Sequence, residues 1–438
     1  MDENPFMKKI YENDSWYNLL HRHANLYIRG SYKTVCYEGM ENIPKDGAVI
    51  FAPNHCDALM DPFVVLAKNA DPLVFVARAD IFKKPWLKKF LTFLKIMPIN
   101  RVRDGLHSVL ESEKTIEKSI EVLNNHMPFC ILPEGMHRAR HSLLPLGKGL
   151  SRVAYGASRT MEEGQHVYVV PVGCEYGDYF RYRSTALVTF GKPIDITAHI
   201  EAHPGRLRQE LLVDIKNMTA EAIKNQIVYI PDDEDYEATW ELAKLSSGRI
   251  PEHRLRNRLK ANRAAAERLG RLRAEAPEKA RAFFEKAAAF AQERRRARIS
   301  LHSVHKRRPL LSALWYTLRA LVALPFAFVL GIASLPAWGV GEWLASRVKD
   351  AAFRNSFRCG AQIVLWPVFL LIWAIVLLCT VKWYWALAAV VLLIPAPMLI
   401  YDYFELVRRT ASAWRYLFNG KLRRQKEQLV SELRLLEI

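Results

Sequence analysis

Between residues 309 and 401 the chain is dominated by Leu, Val, Ala, Ile, Trp and Phe, and two windows, 320–341 and 360–381, hold no charged side chain. Each reaches the roughly 20 residues that a helix needs to cross the hydrocarbon of a bilayer, where every backbone N–H and C=O must be paired within the segment. A third apolar stretch, 383–401, follows after only Lys382. A buried helical hairpin of a soluble domain is the alternative, but apolar runs this long, with aromatic side chains near their ends, favour a membrane. An integral membrane protein is expected.

Short loops rich in Lys and Arg tend to stay in the cytoplasm, and 306–308, 347–358 and 408–426 are such segments. If all three face the cytoplasm, each apolar block between them enters and returns, giving hairpins over 310–346 and 360–401. The first block, interrupted by Pro325 and Pro336 and carrying Arg319, is short for two crossings, so a re-entrant course is expected. Residues 1–14 are polar and charged, which does not read as a secretory leader, and 15–30 read as an amphipathic helix with Trp16, Leu19, Leu20 and Leu26. The N-terminal two-thirds is therefore expected on the cytoplasmic side.

The formal net charge of +18 is unevenly spread. Residues 249–308 carry 19 Lys or Arg against six Glu, in Ala-rich and Arg-rich sequence of strong helix propensity. Because this run ends at Lys306-Arg307-Arg308, directly before the first apolar block, anionic lipid headgroups are the favoured partner; a plain solvated helix and a nucleic acid are the alternatives. Six cysteines (36, 56, 130, 174, 359 and 379) show no metal-type pairing, which suits a reducing compartment and predicts neither a disulfide framework nor a metal site.

At 438 residues the chain exceeds one ordinary domain. The expected division is an amphipathic helix in 1–34, an α/β domain in 35–230, a basic helical segment in 231–308, membrane or re-entrant helical hairpins in 309–403 and a basic cytoplasmic tail in 404–438. Within the α/β part, strand-like runs at 48–52, 73–77, 96–99, 129–132, 167–172 and 186–190 alternate with helical spacing at 106–125 and 149–161. That alternation predicts a mixed, largely parallel sheet, with chemistry in the loops after the strands.

His55 stands in such a loop, in Pro53-Asn54-His55-Cys56-Asp57-Ala58-Leu59-Met60-Asp61. Neutral imidazole, with an ordinary pKa near 6.5, can take a proton near pH 7, and a carboxylate on its other nitrogen fixes the tautomer. Asp61 and Asp57 both qualify as that carboxylate, Asp57 also being suited to cap the following helix. Further on, Ile99-Asn100-Arg101 ends a strand with an arginine whose planar fork suits phosphate oxygens, with Arg103 close behind. Leu132-Pro133-Glu134-Gly135 places a carboxylate in a fixed turn, and Val169-Val170-Pro171-Val172 lies in a later strand.

Taken together, Asn-His then Asp, Ile-x-Arg, Pro-Glu-Gly and Val-x-Pro-Val resemble the glycerolipid acyltransferase superfamily, which includes the 1-acylglycerol-3-phosphate acyltransferases. The lead-in Gly39-Met40-Glu41-Asn42-Ile43-Pro44 and the later Gly147-Lys148-Gly149 fit the same pattern, and the resemblance covers about residues 35–194. It implies that His55 is a general base taking a proton from a glycerol hydroxyl as that hydroxyl attacks an acyl thioester, with Asp61 orienting the imidazole and no covalent acyl-enzyme. It implies further that Arg101 binds the acceptor's phosphate, that Glu134, Gly135 and, nearby, Arg138 line the acceptor site, and that Val170 and Pro171 belong to a wall of the acyl-chain or core side. No cofactor is implied beyond the co-substrate, acyl-CoA or acyl carrier protein.

The chain departs from the commonest form of the pattern, since five residues rather than four separate His55 from Asp61. The longer spacing, with Pro62 after the carboxylate, resembles glycerol-3-phosphate acyltransferases and points the acceptor towards glycerol 3-phosphate. A catalytically idle, acyltransferase-like membrane scaffold or lipid-binding protein is the competing reading.

Overall fold

The computed structural model describes residues 9–99 and 106–436 and divides the chain into two compact units. One unit comprises the residues up to 29, 35–179 and 186–227; the other comprises 30–34, 180–185 and the chain from 228 onward.

The first unit is built on a sheet of eight strands: β1 (Tyr32–Glu38), β2 (Ala48–Pro53), β3 (Val74–Arg78), β4 (Ile96–Ile99), β5 (Phe129–Cys130), β6 (Val167–Tyr176), β7 (Ser184–Phe190) and β8 (Ile194–Asp195). Their order is β1-β7-β6-β2-β5-β3-β4, with β8 paired to β6. β2 is buried at every position and runs parallel to β5 on one side and β6 on the other, as an apolar Ala-Val-Ile-Phe-Ala run between two neighbours should. β3 is parallel to both β5 and β4, whereas β7 and β8 run antiparallel to β6. This is the mixed, largely parallel sheet that the alternation of apolar runs predicts.

Three details differ. β1 lies where no strand is expected, its Tyr-Lys-Thr-Val-Cys-Tyr-Glu sequence too polar to announce itself beside a helix. β5 is shorter than expected, because Leu132-Pro133 leaves the ladder after Ile131 has donated to the Phe51 carbonyl. β6 runs on to Tyr176, because its last residues from Val172 have β7 as a partner.

Among the described residues seven α-helices accompany the sheet: α1 (Ser15–Gly30), α2 (Met60–Leu66), α3 (Pro85–Phe93), α4 (Leu106–Asn124), α5 (Gly149–Ser158), α6 (Ile196–Glu201) and α7 (Arg208–Lys224). Ile50, Val74, Phe129, Val167 and Val169 of the sheet share a core with Leu123, Leu150, Val153, Ala157 and Ile215 of the helices. Burying such side chains, at roughly 1.5–3 kcal/mol each, fixes the positions of the strand ends.

In the second unit follow α8 (Tyr236–Ser246), α9 (Leu255–Glu275), α10 (Pro277–Arg296), α11 (Leu301–Val304), α12 (Pro309–Arg347), α13 (Phe353–Thr380), α14 (Trp383–Leu393), α15 (Ala396–Phe418) and α16 (Gly420–Leu435). The basic segment is helical as expected, and it has a core of its own: Leu242, Leu269, Phe283, Phe284, Phe290 and Leu429 pack together. Arg294 closes on the buried Glu241 through two bonds, Nε to Oε1 at 2.6 Å and Nη2 to Oε2 at 2.9 Å. Such a bidentate pair is among the few geometries in which a buried carboxylate is adequately matched.

Among the described residues two helices, α12 and α13, are long and apolar enough to cross a membrane, and α14 with α15 makes a third candidate bent by 49°. α12 is one continuous helix of 39 residues, so the turn back that was expected within 310–346 is absent. Pro325 and Pro336 are carried inside it, since breaking the helix in apolar surroundings strands more backbone groups than each proline removes. The bend near Pro395 is treated differently. Met398 donates to the Pro395 carbonyl rather than to that of Ile394, and Trp366 Nε1 donates to the Ile394 oxygen at 2.9 Å instead.

Candidate active site

β2, β5 and β6 bring their C-terminal ends together, the edge at which open α/β sheets gather ligands. Asn54, next after β2, is buried and locks that edge: its Oδ1 accepts from the Cys174 N–H at 2.7 Å and its Nδ2 donates to the Cys174 carbonyl at 3.1 Å. The following loop turns through Ala58, whose φ of 44° lies in the left-handed region, and enters α2 with Asp61 in its first turn.

That turn absorbs the extra residue. Asp61 Oδ2 lies 2.8 Å from His55 Nδ1 and also accepts the main-chain N–H groups of Cys56 at 2.7 Å and Asp57 at 2.8 Å. Its Oδ1 accepts from the Tyr176 hydroxyl at 2.8 Å. With Asp61 fully buried and gathering donors on both oxygens, Nδ1 must be the donor to it, and the lone pair of His55 is left on Nε2. The His55 side chain keeps 16% of its surface, so that lone pair is reachable.

Glu134 holds the same loop from the β5 side. Its Oε1 accepts the His55 main-chain N–H at 2.6 Å and its Oε2 accepts from Leu144 at 2.8 Å. Burial pushes the carboxyl up to about 7, against the pull of those two N–H donors and of His55. The His55 carbonyl is held in turn by the Arg138 main-chain N–H at 3.0 Å, while Arg138 Nη2 donates to Ser142 Oγ at 2.8 Å. Gly135, between them, takes φ 65°, a conformation that explains glycine at this turn.

Of the two rival carboxylates, only Asp61 bonds to His55 among the described residues. Asp57 is almost fully buried, and its Oδ1 has no hydrogen-bond partner. Burial, with Asp61 and Asp178 nearby, drives its carboxyl well above the carboxylate range. It does not cap α2, whose N-cap residue is Leu59. Arg101 and Arg103 lie outside the described residues. Val170 and Pro171 sit inside β6, with Val170 wholly buried.

Three neighbours escape a reading of the motifs. Tyr176 is 115 positions from Asp61 and lies beyond the expected end of its strand. The His137 ring stands edge-on to that of His55 with 5.4 Å between centroids. A further histidine, the buried His141, faces Glu175 at 3.1 Å and the Tyr179 hydroxyl at 3.2 Å. Cys56 is buried beside Asp61, and burial together with that carboxylate pushes its thiol well up, so it is not a thiolate nucleophile.

His55 is thus tied through Nδ1 to a buried carboxylate at the C-terminal edge of a largely parallel sheet, with Nε2 left to accept a proton. Residues 34–175, which contain all of this site but Tyr176 and Tyr179, match the family model described as Acyltransferase. The 1-acyl-sn-glycerol-3-phosphate acyltransferase of Borreliella burgdorferi is 28% identical over 116 residues, 26% of this chain and 44% of that protein. An uncharacterised acyltransferase of Schizosaccharomyces pombe is 31% identical over 105 residues, 23% of this chain and 15% of that one. The chain thus spans less than half the length of either curated relative. The crystal structure of the 1-acyl-sn-glycerophosphate (LPA) acyltransferase PlsC from Thermotoga maritima is 19% identical, covering 48% of this chain and 78% of that one at a TM-score of 0.35. Residues 34–175 thus form a domain that is similar to the Acyltransferase family and to these acyltransferases.

Proposed function

We propose that the protein transfers a fatty acyl group from a thioester, acyl-CoA or acyl carrier protein, to a hydroxyl of glycerol 3-phosphate or 1-acylglycerol 3-phosphate. The observation that carries this reading is the bond between His55 Nδ1 and Asp61 Oδ2, which leaves Nε2 to receive a proton. As the acceptor oxygen bonds to the thioester carbonyl, its proton passes to Nε2. Collapse of the tetrahedral intermediate breaks the C–S bond, and the departing thiolate takes the proton from the imidazolium. Asp61 stabilises that imidazolium while it lasts, and no enzyme-bound acyl group forms. A base so placed contributes about 10²- to 10⁴-fold in rate.

In this reading Arg101, with Arg103, binds the acceptor phosphate, and Glu134, Gly135 and Arg138 shape the acceptor side of the loop. Glu134 and Arg138 act through main-chain bonds to His55, which favours a role in holding it over direct contact with the acceptor. The His-to-Asp spacing favours glycerol 3-phosphate.

The chain acts at a membrane, with α12 and α13 crossing in opposite directions, the bent α14–α15 pair re-entrant, and residues 1–308 and the tail on the cytoplasmic side. Supporting a common side, Arg409 of α15 pairs with Glu252 at 2.9 Å and Glu405 with Arg181 at 2.9 Å. The basic loop at 347–358 then lies opposite, with Arg358 neutralised by Glu342 at 2.8 and 3.0 Å. Membranes holding the chain, given each labelled acceptor with each donor, test the reading: it requires a labelled lipid product from at least one pairing, and none from any pairing contradicts it.

A further inference from the structure

α3 breaks the rule for a surface helix of a soluble domain. None of its nine residues is buried, although five of them are Trp86, Leu87, Phe90, Leu91 and Phe93. Leu87 and Leu91, one turn apart, are the half-covered pair. Trp86, Phe90 and Phe93, at i, i+4 and i+7, share a different face and stand 65%, 47% and 36% exposed. The larger aromatic face is therefore turned to the outside. Ile81, just before the helix, is exposed as well.

Four lysines flank this face. Lys83, Lys84, Lys88 and Lys89 are all exposed, and none has a carboxylate partner among the described residues. Helices of nine residues are marginal in water even with good propensities, and this one meets the domain through the half-covered Leu87 and Leu91 and through the Phe93 ring, edge-on to Tyr17 at 6.5 Å between centroids. Aromatic side chains beside unpaired lysines match the headgroup layer of an anionic bilayer, which takes the rings at its apolar boundary and the ammonium groups among its phosphates.

We infer that α3 is an interfacial docking helix, inserting Trp86, Phe90 and Phe93 into an anionic lipid surface while Lys83, Lys84, Lys88 and Lys89 bind its headgroups. The first unit thereby holds a lipid contact of its own, separate from the apolar helices further along the chain. The inference rests on the membrane part of the proposed function and is independent of the acyl-transfer part.

The full chain in nanodiscs of zwitterionic lipid, or of the same lipid with added phosphatidylglycerol, tests it by amide hydrogen exchange. Incorporation with protected α12 and α13 checks the membrane reading separately. In anionic discs the α3 amides are expected to exchange at least about tenfold more slowly than in zwitterionic ones, since each basic side chain at such a surface is worth about fivefold in binding. Reversing the four lysines to Glu, or the double change Trp86→Ser with Phe90→Ser, removes that protection and leaves α12 and α13 unaltered. Equal exchange of α3 in both lipids, or protection that survives the lysine reversal, overturns the inference.

Discussion

Asp61 Oδ2 holds His55 Nδ1 at 2.8 Å across five intervening residues while the same oxygen takes two main-chain N–H groups of that loop. One carboxylate therefore both shapes the loop and sets the imidazole tautomer. Asp61→Asn, which puts an amide among those donors, is expected to cut acyl transfer by about 10²- to 10⁴-fold. Asp57→Asn, replacing a buried carboxyl that makes no bond to His55, is expected to stay near the wild-type rate. Comparable losses in both variants would count against the pairing.

Tyr176 donates to the other oxygen of the same carboxylate, 2.8 Å away. Tyr176→Phe removes that bond and leaves a buried carboxylate oxygen short of a donor, so kcat is expected to fall about tenfold, as for the loss of a buried bond to a charged group. A wild-type kcat in Tyr176→Phe would reduce Tyr176 to packing alone.

The Glu134 carboxyl is raised from 4.5 to about 7, chiefly by burial. Between those values the folded domain keeps a proton that the unfolded chain has released. Stability from this group is therefore full below pH 4.5 and falls as the pH rises towards 7. Thermal unfolding of wild type in detergent across that interval is expected to show this downward slope, and Glu134→Gln to flatten it whatever its absolute stability. Identical slopes would exclude Glu134 as the source.

Gly39 and Gly135 both have left-handed backbone, φ 72° and 65°, but differ in their surroundings. A Cβ on Gly135 meets nothing within 4 Å, while one on Gly39 would stand 2.0 Å from the Phe190 carbonyl oxygen. Gly135→Ala is expected to cost only the backbone term, about 1–2 kcal/mol. Gly39→Ala, which must also push strand backbone aside, is expected to cost clearly more in a side-by-side melt.

The motif residues were legible because each lies within a few positions of a strand end, where local sequence carries both structure and chemistry. The preference for Asp61 over Asp57 came from the family resemblance and not from local pattern, since the geometry turns on the left-handed Ala58, an outlier that no propensity for alanine announces. Tyr176 stayed hidden for another reason: the pairing of Val172–Tyr176 with β7 is a long-range event, and without it the strand reads as ending at Val172. In the basic segment the charges obscured a sparse apolar stripe, of which Phe283, Phe284 and Phe290 are the buried part. The prolines of α12 misled in the opposite direction, being breakers in water but tolerable inside an apolar helix.

The most direct measurement is the initial rate of labelled lipid formation by membranes containing the His55→Ala chain, with acyl thioester and either acceptor, against wild type at equal protein and pH. The account predicts a loss of at least about 10²-fold with unchanged expression and folding. Product formed at the wild-type rate would contradict it, because no other group then needs the bond between His55 and Asp61.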